Sequence, residues 1–169
     1  MPARLETIGC GLEAARRQAE ALLRGTGESS AEQEAAARAA VAKQCNYLGD
    51  YDTAALVLAP YLLDSPGDNV LNEQALSHVE SRNLRGDLLV EIALLMNHFR
   101  KYALAVDLLL RAIDLYEGSN AHFRKANAYH WLAFTKLNQH DFAESERCDL
   151  KAMELLYQRA NQDKRHVGS

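Results

Sequence analysis

Apolar residues recur along this chain at the spacing of helices rather than of strands. Over the first 24 residues they are separated by 3, 4, 3, 4 and 3 positions, which places them on one stripe of a helix. This stripe consists of Leu5, Ile8, Leu12, Ala15, Ala19 and Leu22. Nowhere in the sequence do apolar and polar residues alternate as they do in strands. The pattern predicts an all-α protein whose first helix spans 1–24.

Short breaks divide the rest of the chain into further predicted helices. Ser30 and Gln33 have the spacing of a capping box, which predicts that the second helix begins near Ala31. Glycine, proline and polar residues mark the later breaks. These are Gly49-Asp50, Ser65-Pro66-Gly67, Leu84-Arg85-Gly86, the vicinity of Arg100, Gly118-Ser119-Asn120 and the vicinity of His140-Asp141. The sequence therefore predicts a series of helical hairpins.

The predicted hairpins repeat one another. An alignment with offsets of 51 and then 40 residues superimposes three copies of both helices of a hairpin. The second helix of each copy begins with an aromatic residue: Tyr51, Tyr102 and Phe142. Small residues recur where two helices would approach closely, namely Ala42, Ala93 and Ala133 on the first helix and Ala54, Ala105 and Ser145 on the second. Each hairpin would leave an apolar face that needs the next hairpin.

These residues resemble the tetratricopeptide repeat family. In the first copy the similarity lies in Gly49-Asp50-Tyr51-Asp52-Thr53-Ala54, followed by Leu58, Tyr61 and Pro66. In the second copy it lies in Leu89, Ile92, Ala93, Met96, Tyr102, Ala105, Leu109 and Ala112. The third copy departs from the pattern at Lys136, Ser145 and Asp149, as a terminal capping repeat would. The resemblance covers about 31–156 of the chain.

The resemblance implies a short TPR-like right-handed solenoid of antiparallel helical hairpins with an N-terminal capping helix. We expect a single domain over 1–160 and a flexible C-terminal tail over 161–169. The parts of that domain are the first helix (1–24) and repeat units at 31–66, 67–117 and 119–160.

The repeat spacing exceeds the 34-residue period of the family by 17 and then by 6 residues. Most of the larger excess falls in 67–83. There Asp68 could cap a helix that carries Leu71, Ala75 and Val79 at helical spacing. This segment is predicted to form either a separate helix or an extension of the next one.

The resemblance also implies a function class, because the first helices of such repeats line a concave groove that accepts a peptide or a helix of a partner protein. The candidate groove residues combine asparagines, which can donate to and accept from a peptide backbone, with aromatic side chains that anchor interfaces. They are Lys43, Asn46, Tyr47, Glu91, Leu94, Asn97, His98, Asn127, His130, Trp131, Phe134 and Asn138. For Trp131 and Phe134, packing beneath the C-terminal helix is the alternative interpretation.

The best-known groove of this family binds the acidic tails of heat-shock chaperones with a basic clamp. The matching positions here are Ala39, Lys43, Glu91, Asn127 and Trp131. Only Lys43 has a suitable charge, and Glu91 would repel a carboxylate. We therefore expect an adaptor or a partner-specific chaperone for another class of protein segment.

Composition and charge limit the classes of molecule that we expect as binding partners. The net charge is −4 and the pI is about 5.9, which disfavours nucleic acid and anionic membranes as partners. No apolar run approaches the roughly 20 residues that span a bilayer. These features favour a cytoplasmic protein whose partner is another protein.

No motif favours an enzyme, a cofactor or a metal. Cys10, Cys45 and Cys148 are odd in number and lack the spacing of a disulfide framework or a zinc site. No two histidines have the helical spacing of three or four residues that converges two ligands on one metal. We expect no catalytic activity.

A structural role is the alternative function. The apolar stripe of the first helix could cap the repeats or could form a homodimer interface, since uncapped ends of repeat proteins tend to associate. Together with 67–83, such a surface would make the chain a self-associating component of a larger helical assembly.

Overall fold

The computed structural model describes residues 2–25, 29–63 and 70–167, with side chains described from 11 to 160 within these ranges. Over this part of the chain the protein is all-α, and Leu62 and Leu71 form its one isolated antiparallel bridge. The α-helices described are α1 (Pro2–Arg24), α2 (Ala31–Tyr47), α3 (Tyr51–Leu58), α4 (Glu73–Ser77), α5 (Arg82–His98), α6 (Tyr102–Leu115), α7 (His122–Asn138) and α8 (Phe142–Val167). The predicted fold class is thereby confirmed at the level of secondary structure.

The backbone contacts divide the chain into two compact units, Met1–Leu84 and Arg85–Ser169. The first unit holds α1 to α4 and the start of α5, and the second holds the rest of α5 and α6 to α8. The division falls inside the predicted repeat unit 67–117, near the start of α5.

Three hairpin turns have the same backbone hydrogen bonds. The N–H groups of Asp50, Lys101 and Asp141 donate to the carbonyls of Cys45, Met96 and Lys136 at 2.9, 2.8 and 2.9 Å. In each turn the residue before this donor has a positive φ: 78° at Gly49, 59° at Arg100 and 62° at His140. The left-handed residue reverses the chain, and the bond across five residues satisfies a carbonyl at the end of the first helix. The turns are separated by the 51 and 40 residues that the sequence repeat predicts.

The small residues of the repeat are buried at all six positions. The alanines at 42, 54, 93, 105 and 133 are at most 1% exposed. Ser145 is also buried, and its hydroxyl donates to the Ala133 carbonyl at 2.9 Å. The serine therefore fits the close approach of α7 and α8 because its polar group has a partner on the facing helix.

In the first unit, α1 packs against α2 and α3. Ala15 and Ala19 of the predicted stripe are buried in this packing. Nε of Arg16 donates to Oδ2 of Asp50 at 2.6 Å, which ties α1 to the turn between α2 and α3. Buried Arg38 of α2 donates to the Val57 carbonyl of α3 at 2.7 Å. The first helix thus belongs to the packing of its own unit.

Helix starts follow local capping chemistry. The capping box predicted at Ser30 and Gln33 is confirmed, with both reciprocal hydrogen bonds present. The predicted starts at Tyr51, Tyr102 and Phe142 are those of α3, α6 and α8.

Within 70–83, Glu73–Ser77 form a separate short helix, α4, and α5 begins only at Arg82. Its N-cap is Asn72, whose side chain accepts from the N–H of Ala75 at 3.1 Å. The predicted cap Asp68 and the predicted break at Ser65-Pro66-Gly67 lie outside the described residues.

The predicted break at Leu84-Arg85-Gly86 is wrong, because these residues lie inside α5. Gly86 lies inside the helix and, because it has no side chain, allows the ring of Tyr116 to approach the α5 backbone closely. A Cβ atom placed there would lie 2.5 Å from Cε1 of the Tyr116 ring.

The chain is helical beyond the predicted domain end. Residues 161–167, predicted as a tail, continue α8 to Val167. The segment contains neither proline nor glycine before Gly168, so nothing in its sequence stops the helix.

Candidate protein-binding surface

The candidate residues on α2 belong to the first unit. Lys43 and Tyr47 are exposed, and Tyr47 at 88% is the most exposed of the large hydrophobic residues described. Asn46 is buried and therefore does not offer its amide on the surface. The first unit contributes a charged and an aromatic side chain to any partner contact on α2.

The candidates on α5 are mostly buried. Glu91, Leu94 and Asn97 are each no more than 9% exposed, whereas His98 at the end of the helix is exposed. His98 packs edge-on against Phe99, with ring centroids 5.2 Å apart. On this helix the accessible candidate surface is therefore the C-terminal end.

The candidates on α7 form an aromatic cluster. Trp131 meets Phe134 edge to face with ring centroids 5.8 Å apart, and His130 meets Trp131 at 5.6 Å. Phe134 is 43% exposed, His130 is exposed and Trp131 is half-buried. Asn127 and Asn138, at the two ends of the set, are half-buried. We call His130, Trp131 and Phe134 the α7 cluster.

A buried polar chain links α5 to the α7 cluster. Nδ2 of Asn97 donates to Oγ1 of Thr135 at 2.7 Å, and the Thr135 hydroxyl donates to the Trp131 carbonyl at 2.8 Å. Thr135 is fully buried. Among the described residues, no donor reaches the buried Oδ1 of Asn97. Asn97 thus supports the cluster from beneath instead of facing a partner.

A second polar junction fixes the other ends of α5 and α7. The Tyr116 hydroxyl donates to Oδ1 of Asp87 at 2.8 Å, and Nε of Arg124 donates to the same atom at 2.9 Å. Burial raises the pKa of the Tyr116 hydroxyl, and the charge of Asp87 raises it further. Tyr116 therefore stays protonated and keeps its donor on Asp87.

His130 also faces α8. Its Nδ1 lies 3.5 Å from Oδ1 of Asp149, and both side chains are more than half exposed. Asp149 is one of the residues at which the third repeat copy departs from the family pattern. Its carboxylate places an acidic group beside the α7 cluster.

Two features of this surface are not predicted by the sequence analysis. Thr135 lies within the α7 candidates but was not singled out, because its role depends on a hydrogen bond to α5 that no local spacing reveals. The exposed apolar residues of α8 were also missed, although their helical spacing is visible in the sequence. They include Phe142, Leu150, Met153 and Tyr157.

Thiol and metal chemistry receive no support from the described residues. Cys45 and Cys148 are free and buried, and burial raises the pKa of both thiols. The described part of the chain brings together no group of three or more histidine, cysteine, aspartate or glutamate residues that could hold a metal ion.

Comparisons with known protein families, curated proteins and solved structures find no match to the chain. Within the described ranges, no helix is both long enough and apolar enough to cross a membrane.

Proposed function

We propose that the protein is a tetratricopeptide-like interaction module that binds a segment of a partner protein, as an adaptor or a partner-specific chaperone. The observation that carries the proposal is a hairpin turn that recurs three times at the repeat spacing, with the same backbone hydrogen bond across five residues and a left-handed residue at 49, 100 and 140. Repeated hairpins of this kind are building blocks of solenoid scaffolds. In this proposal α1 caps the first hairpin.

The α7 cluster is the proposed centre of binding. An exposed phenylalanine beside a half-buried tryptophan offers apolar area at low cost in side-chain entropy, which is typical of interface anchors. The chain through Asn97 and Thr135 supports the cluster, because it fixes the Trp131 backbone against α5. His130 adds a polar group to the cluster through its ring contact with Trp131.

The electrostatic surroundings favour a segment with an apolar anchor over an acidic peptide. Asp149 lies against His130, and the chain carries a net charge of −4. A carboxylate-rich ligand would meet repulsion there. An apolar side chain flanked by neutral or basic residues suits the surface better.

Capture of binding partners from native lysate tests the proposal. We expect the wild-type protein to retain a partner that Phe134→Glu loses, because a charge at the centre of the cluster disrupts apolar contact. Phe123→Glu is the matched control, since Phe123 is a 53% exposed phenylalanine on the same helix. Circular dichroism checks that both variants keep their helicity.

Two results would count against this function. Capture that survives in Phe134→Glu contradicts the assignment of the α7 cluster. Equal loss in both variants shows that the effect is not specific to the cluster.

A further inference from the structure

Helix α8 has two apolar stripes on different sides. The buried stripe consists of Ser145, Cys148, Ala152 and Leu155. It faces α7, as shown by the bond from Ser145 to α7 and by the packing of Ala152 and Leu155 on Ala126. One stripe is what a helix on the surface of a single chain needs.

The second stripe faces solvent. Its four large apolar residues are separated by 8, 3 and 4 positions, so they share one side of the helix. They are Phe142, Leu150, Met153 and Tyr157, and they are 60% to 71% exposed. From the first to the last, this outer stripe extends over about 22 Å at the rise of an α-helix. Exposed Glu146 lies on the same side of the helix between Phe142 and Leu150, and Leu150, Met153 and Tyr157 form the uninterrupted apolar part. Exposed apolar surface of this kind marks an interaction site.

The charges of α8 are distributed unevenly along its length. Its first nine residues, Phe142–Leu150, contain three acidic residues and one basic residue, whereas 157–167 contain three basic residues and one acidic residue. Two such helices attract each other when they run in opposite directions, because the acidic half of each lies beside the basic half of the other. The helix dipoles also favour the antiparallel arrangement.

We propose that the outer stripe of α8 binds a second copy of this chain, with the two α8 helices antiparallel about a twofold axis near residue 154. The stripe is complementary to itself in this arrangement, as a twofold interface requires. Leu150 of one copy lies within a turn of Tyr157 of the other, and Met153 lies beside its own counterpart. Glu146 of one copy comes within a turn of Lys164 of the other.

This self-association does not use the α7 cluster. The proposed dimer therefore goes beyond the proposed binding function, and each of the two proposals can be tested independently of the other. A homodimer would present two copies of the α7 cluster and would bind a partner that carries two segments more tightly than one that carries a single segment.

Sedimentation equilibrium of the full chain tests the dimer. We expect the wild-type protein to dimerise and Met153→Glu to raise the dissociation constant at least tenfold, because the variant places like charges together at the axis. Leu110→Glu is the matched control, since Leu110 is a 49% exposed leucine on α6, and it should leave the constant unchanged. A wild-type protein that stays monomeric at 100 micromolar, a dimer that Met153→Glu leaves intact, or equal weakening by the control overturns the proposal.

Exchange of charges tests the antiparallel arrangement. Glu146→Lys and Lys164→Glu should each weaken the dimer, and the double variant should restore it. The double variant opposes the helix dipole, so recovery cannot come from a more stable single helix. A double variant as weak as the sum of the two single variants contradicts the antiparallel pairing.

Discussion

Asn97 of α5 and Thr135 of α7, which are 38 residues apart in sequence, share a buried hydrogen bond of 2.7 Å that joins the two helices. Thr135 passes the connection on to the Trp131 carbonyl. Asn97, a predicted groove residue, is therefore part of the buried packing between α5 and α7, whereas the candidates His130 and Phe134 on α7 are exposed.

Thr135→Val should lower the free energy of unfolding by about 1 to 3 kcal/mol. The substitution keeps the shape of the side chain but leaves the buried Nδ2 of Asn97 without its acceptor. Urea denaturation followed by circular dichroism measures the effect. Thr135→Ser is the control because it keeps the hydroxyl. If Val is tolerated as well as Ser, the hydrogen bond does not stabilise the fold.

Gly86→Ala should destabilise the protein by about 1 to 3 kcal/mol, although alanine is the better helix former. The added methyl group would lie 2.5 Å from the Tyr116 ring. Gly11→Ala is the matched control, because a Cβ there meets only Leu48 at 4.0 Å among the neighbours within that distance. The control should be stabilising by about 0.5 to 1 kcal/mol. Thermal unfolding that ranks the two variants equally would contradict the close packing of Gly86.

Arg100→Gly and His140→Gly should each stabilise the protein by about 0.5 to 1 kcal/mol. Both residues have positive φ, which costs an L-residue more than glycine even after the greater chain entropy of glycine is subtracted. Gly49→Ala, at the equivalent position of the first turn, should have the opposite effect. Melting temperatures of the three variants measure the differences. A loss of stability in either glycine variant would show that its turn is not left-handed.

Asp50 should make stability depend on acid pH. Burial raises the pKa of its carboxyl, but the hydrogen bonds from Arg16 and Thr53 outweigh burial and lower the pKa below its ordinary 3.8. Asp50 then contributes stability that is fully present above 3.8 and is lost as the pH falls through the lower pKa of the folded state.

Asp50→Asn isolates this contribution, because asparagine can still cap α3 but carries no charge. We expect the difference in unfolding free energy between wild type and variant to be constant from pH 7 to about 5 and to shrink below pH 4. Denaturant titrations across this range measure the difference. A difference that grows as the pH falls has the wrong sign for a lowered pKa.

The sequence predicted the features that local chemistry determines. The aromatic residues at 51, 102 and 142 begin helices, and the small residues at the contacts of paired helices are buried. Both features could be predicted because they recur at the spacing of the repeat. The capping box at Ser30 is a local pattern and was found for the same reason.

Features that depend on distant residues could not be predicted. A glycine such as Gly86 is typical of a break between helices. Here it lies inside α5, where the ring of Tyr116, 30 residues later, packs against its backbone. The repeat alignment predicts three exposed groove residues on α5 that are in fact buried, namely Glu91, Leu94 and Asn97. The periodicity within one helix does not show which neighbouring helices cover its faces. On α7, by contrast, His130 and Phe134 are exposed and adjoin Trp131 in one aromatic cluster.

Site-specific photo-cross-linking tests the central claim most directly, namely that the α7 cluster binds another protein. A photoreactive phenylalanine is placed at Phe134 and, as a control, at Leu56, a 58% exposed residue on α3. In native lysate we predict a discrete adduct with a different protein at Phe134 and none at Leu56. Adducts of equal yield at both positions, or no adduct at Phe134, would contradict the account.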